Sequence, residues 1–309
     1  MKNKMNGTLK GLALAMSAVV VLASCKKDDE PVVPNDIVKV ATDNGLTSLV
    51  SSVQSAGLTA TLQSTGPFTV FAPTNAAFSA LTAAPADLKN TLLYHVLSNT
   101  KATASGIPTT LTGLLSSNAA GDSLYVRKIG SNVFINGVKV DIADVNATNG
   151  VAHVIGTVLI PPTGNIVQTA IAAKFDSLAK AVTLASTGVG SEDLLTALSN
   201  TKGLTVFAPT NQAFTNLLTA LGVSSIDQIP KATLIAVLKY HVIAARVFSS
   251  DLTDGAKPAT LQGGTLTVSL TGGAKVTGNG NSGNASNITA ANIMAKNGVI
   301  HVIDRVLIP

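Results

Sequence analysis

Tryptophan is absent from the 309 residues, cysteine occurs once, and histidine occurs four times. Aromatic residues make up 4% of the chain and charged residues 12%. One thiol excludes an intrachain disulfide framework, and with so few histidines there is little material for a multi-ligand metal centre. The shortage of basic and stacking side chains argues against a nucleic-acid partner. A formal net charge of +5 overstates the basicity: setting aside Lys2, Lys4 and Lys10 leaves 18 of the 21 basic residues against 16 acidic ones. There is no Gly-x-Ser-x-Gly elbow, no phosphate-binding loop and no His-Glu-x-x-His. The acidic residues are too scattered to nominate a carboxylate pair. No catalytic residue, cofactor site or metal site is nominated, and the chain is expected not to be an enzyme. What is abundant is hydrophobic side chain, at 46%, enough to bury cores in about two domains.

Residues 1–24 have the form of an export signal. Lys2, Lys4 and Lys10 precede an uncharged run from Gly11 to Ala23, which is shorter than the ~20 residues a membrane-spanning helix needs. The run ends in Leu22-Ala23-Ser24-Cys25, which resembles the lipobox of bacterial lipoproteins. That resemblance implies lipidation of Cys25 and attachment to a membrane through a lipid anchor, with acyl chains contributing about 0.8 kcal/mol per buried methylene. Residues 25–34 then form the lipidated cysteine and an extended tether. Lys26-Lys27-Asp28-Asp29-Glu30 resembles the sorting signal of surface-exposed lipoproteins, which implies an outer-membrane location facing the cell exterior.

The remainder is written twice. Thr69-Val70-Phe71-Ala72-Pro73-Thr74-Asn75 recurs from Thr205 to Asn211, Tyr94-His95-Val96 as Tyr240-His241-Val242, and Asn149-Gly150-Val151-Ala152-His153-Val154-Ile155 from Asn297 to Ile303. The offsets of 136, 146 and 148 place an insertion of ten residues between Phe214 and Tyr240. Units of this length are tandem domains, 35–162 and 163–309, with Pro161-Pro162-Thr163-Gly164 between them. Leu46, Leu49, Val50 and Val53 have helical spacing, repeated at an offset of 129 by Phe175, Leu178, Ala179 and Val182. Thr69 to Phe71 reads as a strand, and Thr74 or Asn75 as the cap of a short helix. Asn136-Gly137 joins two strand-like runs as a hairpin signal. Helices early and antiparallel strands late indicate an α+β class. Asn149-Gly150 and Asn297-Gly298 are expected to form tight turns at positive φ before the closing strands.

The three duplicated motifs, in this order, resemble the fasciclin-like domain family, from about Asp36 to Pro161 and again from Asn165 to Pro309. The resemblance implies two β-wedges of about seven strands, each with packed helices. It also implies extracellular adhesion, or attachment to matrix protein or polysaccharide. This chain departs from the pattern by being shorter between Phe78 and Tyr94, where a helix is expected to be trimmed. It departs again in Gly278 to Asn287, which reads as a flexible loop.

His95 shares a helical face with Leu88 and Leu92, and His241 with Leu234 and Leu238, which is the pattern of a buried, hydrogen-bonded core residue. In the resembled family the Tyr-His segment is also discussed as an adhesion determinant, so Tyr94, His95, Tyr240 and His241 are the adhesion-motif candidates. His153 and His301 have apolar neighbours on both sides and read as structural. Tyr125, Arg127 and Lys128 form either a solvated strand face or an exposed contact patch. Asp122-Ser123-Leu124 and Asp176-Ser177-Leu178 resemble a short O-glycosylation acceptor. The leading expectation is a non-enzymatic cell-surface lipoprotein that attaches through both domains. The alternative is a glycan-binding accessory protein of a surface nutrient-uptake system, against which the scarcity of Trp and Tyr counts.

Overall fold

The computed structural model describes residues 35–117, 122–186 and 193–309. The export signal, Cys25 and the tether lie outside the described residues. The first domain begins with three short helices, α1 (Ile37–Asp43), α2 (Thr47–Ser55) and α3 (Thr59–Gln63). Strand β1 (Phe68–Pro73) follows, then α4 (Asn75–Ser79), α5 (Leu88–Tyr94) and β2 (Val96–Ser98). The domain ends in a run of strands: β3 (Thr112–Leu115), β4 (Ser123–Ile129), β5 (Asn132–Ile135), β6 (Val138–Ala147) and β7 (Gly150–Ile155). The second domain repeats the plan with α6 (Ile166–Ala172), α7 (Asp176–Ala185), α8 (Leu194–Asn200), β8 (Leu204–Pro209), α9 (Asn211–Leu221), α10 (Lys231–Tyr240) and β9 (Val242–Ile243). It closes with β10 (Thr267–Ser269), β11 (Lys275–Thr277), β12 (Ser286–Ala295) and β13 (Gly298–Ile303).

The first sheet has seven strands in the order β2-β1-β7-β6-β5-β4-β3, and the second six in the order β10-β11-β12-β13-β8-β9. The late strands are antiparallel as expected, but the closing strand lies parallel to the first one. Phe68 pairs with Gly150 through to Pro73 with Ile155, and Leu204 with Gly298 through to Pro209 with Ile303. Parallel pairing needs a long crossover, which residues 74–149 and 210–297 supply. Every residue of β1, β7, β8 and β13 is buried because both faces of these strands are covered. In the first domain, Val70, Ala72 and Val154 pack beneath the helices with Leu49, Val53 and Leu92. Phe71 and Ile155 face the other way, onto Leu124, Val126 and Ile135 of the curled-over strands. The second domain has its own two cores on the same plan.

Local chemistry explains the element ends. The Thr74 hydroxyl accepts from the Ala77 amide at 3.2 Å, and Thr210 from Ala213 at 3.1 Å, so threonine is the cap in both copies. The neighbouring asparagine does something else. Asn75 accepts from the Ser48 amide and donates to the Gly45 carbonyl, tying the start of α4 to the start of α2. Asn211 makes the same pair of bonds to Ser177 and Lys174. Asn136 and Gly137 adopt φ of 48° and 77° at the expected hairpin. Helix α4 has five residues where α9 has eleven, the trimming anticipated between Phe78 and Tyr94.

Two expectations need correction. Neither Gly150 nor Gly298 sits at positive φ. A Cβ on Gly150 would lie 2.2 Å from the Phe68 carbonyl oxygen, and one on Gly298 would lie 2.5 Å from that of Leu204. Close parallel approach therefore demands these glycines. The adjacent asparagine is an anchor: Asn149 accepts from the Ile37 amide and donates to the Leu62 and Ser64 carbonyls. Asn297 repeats this with Ile166, Leu198 and Thr201. The second correction concerns Gly278 to Asn287, which is a built loop. It contains a 3-10 turn over Asn279–Asn281, and β12 begins at Ser286. The buried Asn281 amide donates to the Val306 carbonyl and its oxygen accepts from the Ile308 amide, fastening the loop to the segment after the final strand.

Candidate functional site

The Tyr-His pair stands at the end of a helix in both domains, where the last carbonyls lack helical partners. His95 follows α5 and its Nδ1 lies 2.8 Å from the Thr91 carbonyl oxygen. Its Nε2 lies 2.8 Å from the Leu159 backbone nitrogen. An amide can only donate, so Nε2 is the acceptor and Nδ1 carries the proton that goes to Thr91. His241 repeats the bridge between the Val237 carbonyl, at 2.7 Å, and the Leu307 amide, at 2.9 Å. Burial pushes both imidazoles down to a pKa of about 4, partly offset by the carbonyl each one faces. Both rings are neutral at physiological pH.

Tyr94 points to the opposite side of the sheet. Its hydroxyl donates to the Ser123 carbonyl and accepts from the Asn136 side chain, each at 3.0 Å. Burial raises its pKa, the Asn136 bond working the other way. The Tyr240 hydroxyl donates to the Thr265 carbonyl and accepts from the Asn279 amide. Tyr94 and Tyr240 are 0% exposed, His95 is 1% and His241 is 2%. None of the four presents a side-chain surface to a partner. The histidines hold the segment after each closing strand, and Tyr94 holds the Asn136 hairpin.

His153 and His301 serve a different joint. Asp144 and Asn292 adopt φ of 60° and 63° at an irregularity in β6 and β12, and their amides point at the Nδ1 atoms of His153 and His301. The opposite nitrogen donates to the Ala102 and Val247 carbonyls, at 2.8 Å in both cases. Each ring stacks on a strand phenylalanine, Phe71 at 5.5 Å and Phe207 at 5.6 Å between centroids. Burial lowers the pKa of His301, against the raising influence of the Val247 carbonyl and Asp251. Sequence patterning identified these histidines as structural but gave no sign of the bulge residues they hold.

Tyr125 and Arg127 are neither a free patch nor a solvated face, because they meet the second domain. Arg127 Nη1 lies 2.9 Å from Asp251 Oδ1. The Arg246 guanidinium sits 4.2 Å from the centre of the Tyr125 ring, and that ring lies 6.1 Å from Phe248. Arg246 also donates to the Gly298 carbonyl at 2.6 Å, so one side chain joins the junction to the closing strand. Gly137 completes the contact. A Cβ there would come within 2.6 Å of Asn292 Nδ2 and 2.7 Å of Phe248 Cβ. Residues 35–309 accordingly form one compact unit. The participants lie more than a hundred residues apart, and no local spacing announces them.

Of the modification candidates, Ser123 is half-buried in β4 and Ser177 is half-buried in the first turn of α7. Among the described residues no group of three or more His, Cys, Asp or Glu could hold a metal ion, and no helix is long and apolar enough to cross a membrane. No buried side-chain polar atom among them lacks a partner. Among the described residues the geometry offers surfaces and an apolar cavity.

A model of the Fasciclin domain matches residues 44–161 and 175–309. Human periostin is 31% identical over 264 residues, 80% of this chain and 29% of its own length. Pig transforming growth factor-beta-induced protein ig-h3 is 44% identical over 128 residues, 39% of this chain and 18% of its own. The chain thus spans less than a third of either animal relative. Protein sll1483 of Synechocystis is 36% identical over 172 residues, 50% of this chain and 93% of its own. Among solved structures, a domain pair from an insect cell adhesion molecule matches 88% of this chain with a TM-score of 0.42 and 19% identity.

Proposed function

Because the chain belongs to the Fasciclin domain family, with two such domains in tandem, we propose that it is a non-enzymatic adhesion or matrix-attachment protein. It is held on the outer membrane by lipid on Cys25 and displayed on the cell surface. The partner is an extracellular protein or polysaccharide. The observation that carries this reading is the junction of Tyr125, Arg127, Arg246 and Asp251, which holds the two domains as one block. A preset orientation removes part of the ordering cost of engaging two sites at once. Consistent with it, all four histidines are used to hold the backbone together.

Protease treatment of intact cells tests the placement. Loss of the protein supports surface display, whereas complete protection while a known surface protein is cleaved contradicts it. A C25S variant released into the medium supports the anchor, and one retained in the membrane fraction contradicts it.

One observation favours the second reading, a glycan-binding accessory protein. A groove of about 280 Å³ runs between α9 and the Gly278–Asn287 loop, with Asn216, Asn284, Asp304 and Arg305 on its lining. Amides, a carboxylate and a guanidinium can hydrogen-bond sugar hydroxyls. Saturable retention on one polysaccharide of a panel, lost in N216A/N284A, would support this reading over general adhesion.

A further inference from the structure

The two domains differ where their helices roof the sheet. In the second, α6, α7, α8 and α10 enclose a cavity of about 240 Å³ against β8 and β13. The corresponding space in the first domain is about 20 Å³. The framework is shared, with Ile166, Leu178 and Leu238 standing where Ile37, Leu49 and Leu92 stand. Two differences accompany the larger void. Ala179 replaces Val50 on the wall. The segment from Leu178 to Leu198 is also seven residues longer than that from Leu49 to Leu62, since the offset of 129 at Leu178 becomes 136 at Leu198, the residue that bonds Asn297 as Leu62 bonds Asn149.

The wall is aliphatic, and its two polar side chains are committed elsewhere. The Thr183 hydroxyl donates to the Ala179 carbonyl at 2.9 Å, and the His241 ring is spanned between Val237 and Leu307. Water entering such a space finds few of the two to four partners it needs, so the site favours an apolar guest. The cavity reaches solvent, because its lining includes Ile171, 57% exposed, and the exposed Thr183. Its volume exceeds the roughly 150 Å³ of an apolar cavity that takes up a single benzene ring. A longer guest therefore fits, provided its buried part asks for no hydrogen bond.

We infer that the second domain carries a binding site for one aliphatic chain, whose polar head stays in water at the Ile171 and Thr183 rim. The first domain, with the same fold and almost no void, lacks this site. The inference is independent of the adhesion reading.

The test is a methyl-detected NMR titration of the full chain, labelled at Ile, Leu and Val, with decanoate below its micelle concentration. Saturable shifts are expected at Ile171, Val182, Leu195 and Leu238, with Val53 and Leu92 unmoved. Ala179→Leu, which fills the cavity, is expected to weaken decanoate at least tenfold, and Ala179→Val at least threefold. Absence of saturable shifts, equal shifts in both domains, or a folded A179L that binds within twofold of the parent would overturn the inference. Should A179L fail to fold, A179V decides by its threefold criterion. Uptake of benzene without decanoate would overturn the assignment to an aliphatic chain.

Discussion

His95 accepts a hydrogen bond from the backbone amide of Leu159, 64 residues further along the chain, and His241 accepts the same bond from Leu307. Each ring thereby ties the segment that follows the last strand of its domain to the end of a helix. Replacing His95 by alanine leaves a buried amide and a helix-end carbonyl unpaired, and opens a void. The expected loss is about 2–4 kcal/mol, read as a fall in the denaturant midpoint. His241→Ala is expected to cost a similar amount in the second domain. A loss below 0.5 kcal/mol for both would mean that water or a shifted side chain replaces the ring without cost.

Acid sensitivity follows from the same two rings. Each has a native pKa of about 4 against an unfolded value near 6.5, so the unfolded chain binds more protons between those limits. Stability is fully present above about pH 6.5 and falls as pH drops toward 4, by up to roughly 3 kcal/mol per ring. His301 acts in the same direction. Urea midpoints measured from pH 7.5 to 4.5 check this: H95Q, whatever its midpoint at neutral pH, shows a shallower pH slope than the parent. An identical slope would contradict the assignment.

Gly137 tests the junction from the β5–β6 hairpin, against Asn292 and the buried Phe248 of the second domain. Gly137→Val places atoms where Asn292 and Phe248 already lie and also strains the hairpin at φ 77°, so the domains are expected to part. Gly130→Val, at φ 60° in open space, is the control for backbone strain. Small-angle scattering should record a larger radius of gyration, and native-state proteolysis new cleavage between the domains. A double-mutant cycle on Arg127 and Asp251 should give a coupling of about 1 kcal/mol, declining with added salt. Unchanged scattering from G137V would mean that the contact does not set the domain arrangement.

Gly150→Ala and Gly298→Ala probe the parallel pairing. The added methyl meets a strand carbonyl at 2.2 Å and 2.5 Å, where only backbone displacement gives relief. A loss of about 3 kcal/mol is expected from each. Gly130→Ala is the comparison: unlike those two it sits at positive φ, but in open space, and is expected to cost about 1 kcal/mol.

Much of the scaffold was legible because it is local and duplicated. Thr74 before a short apolar run announces a helix cap, Asn136-Gly137 a hairpin, and the spacing of Leu88, Leu92 and His95 a buried imidazole. The roles of Asn75 and Asn149 were not legible, since an amide bonding a distant backbone leaves no periodic trace. Nor were the bulge residues Asp144 and Asn292, whose conformation is imposed by the histidine facing them across the sheet. Arg127 and Tyr125 looked like surface because strand alternation specifies a face and not what covers it. The cavity was not legible either, since composition carries no sign of an empty space.

The most direct test of two domains acting as one attachment block is binding to a densely coated surface, such as the cell envelope or an extracellular matrix preparation. The full chain is compared with its halves, 35–162 and 163–309, each first checked for folding. The full chain is expected to bind at least about a hundredfold more tightly than either half. Equal affinity of a single half and the full chain would contradict it.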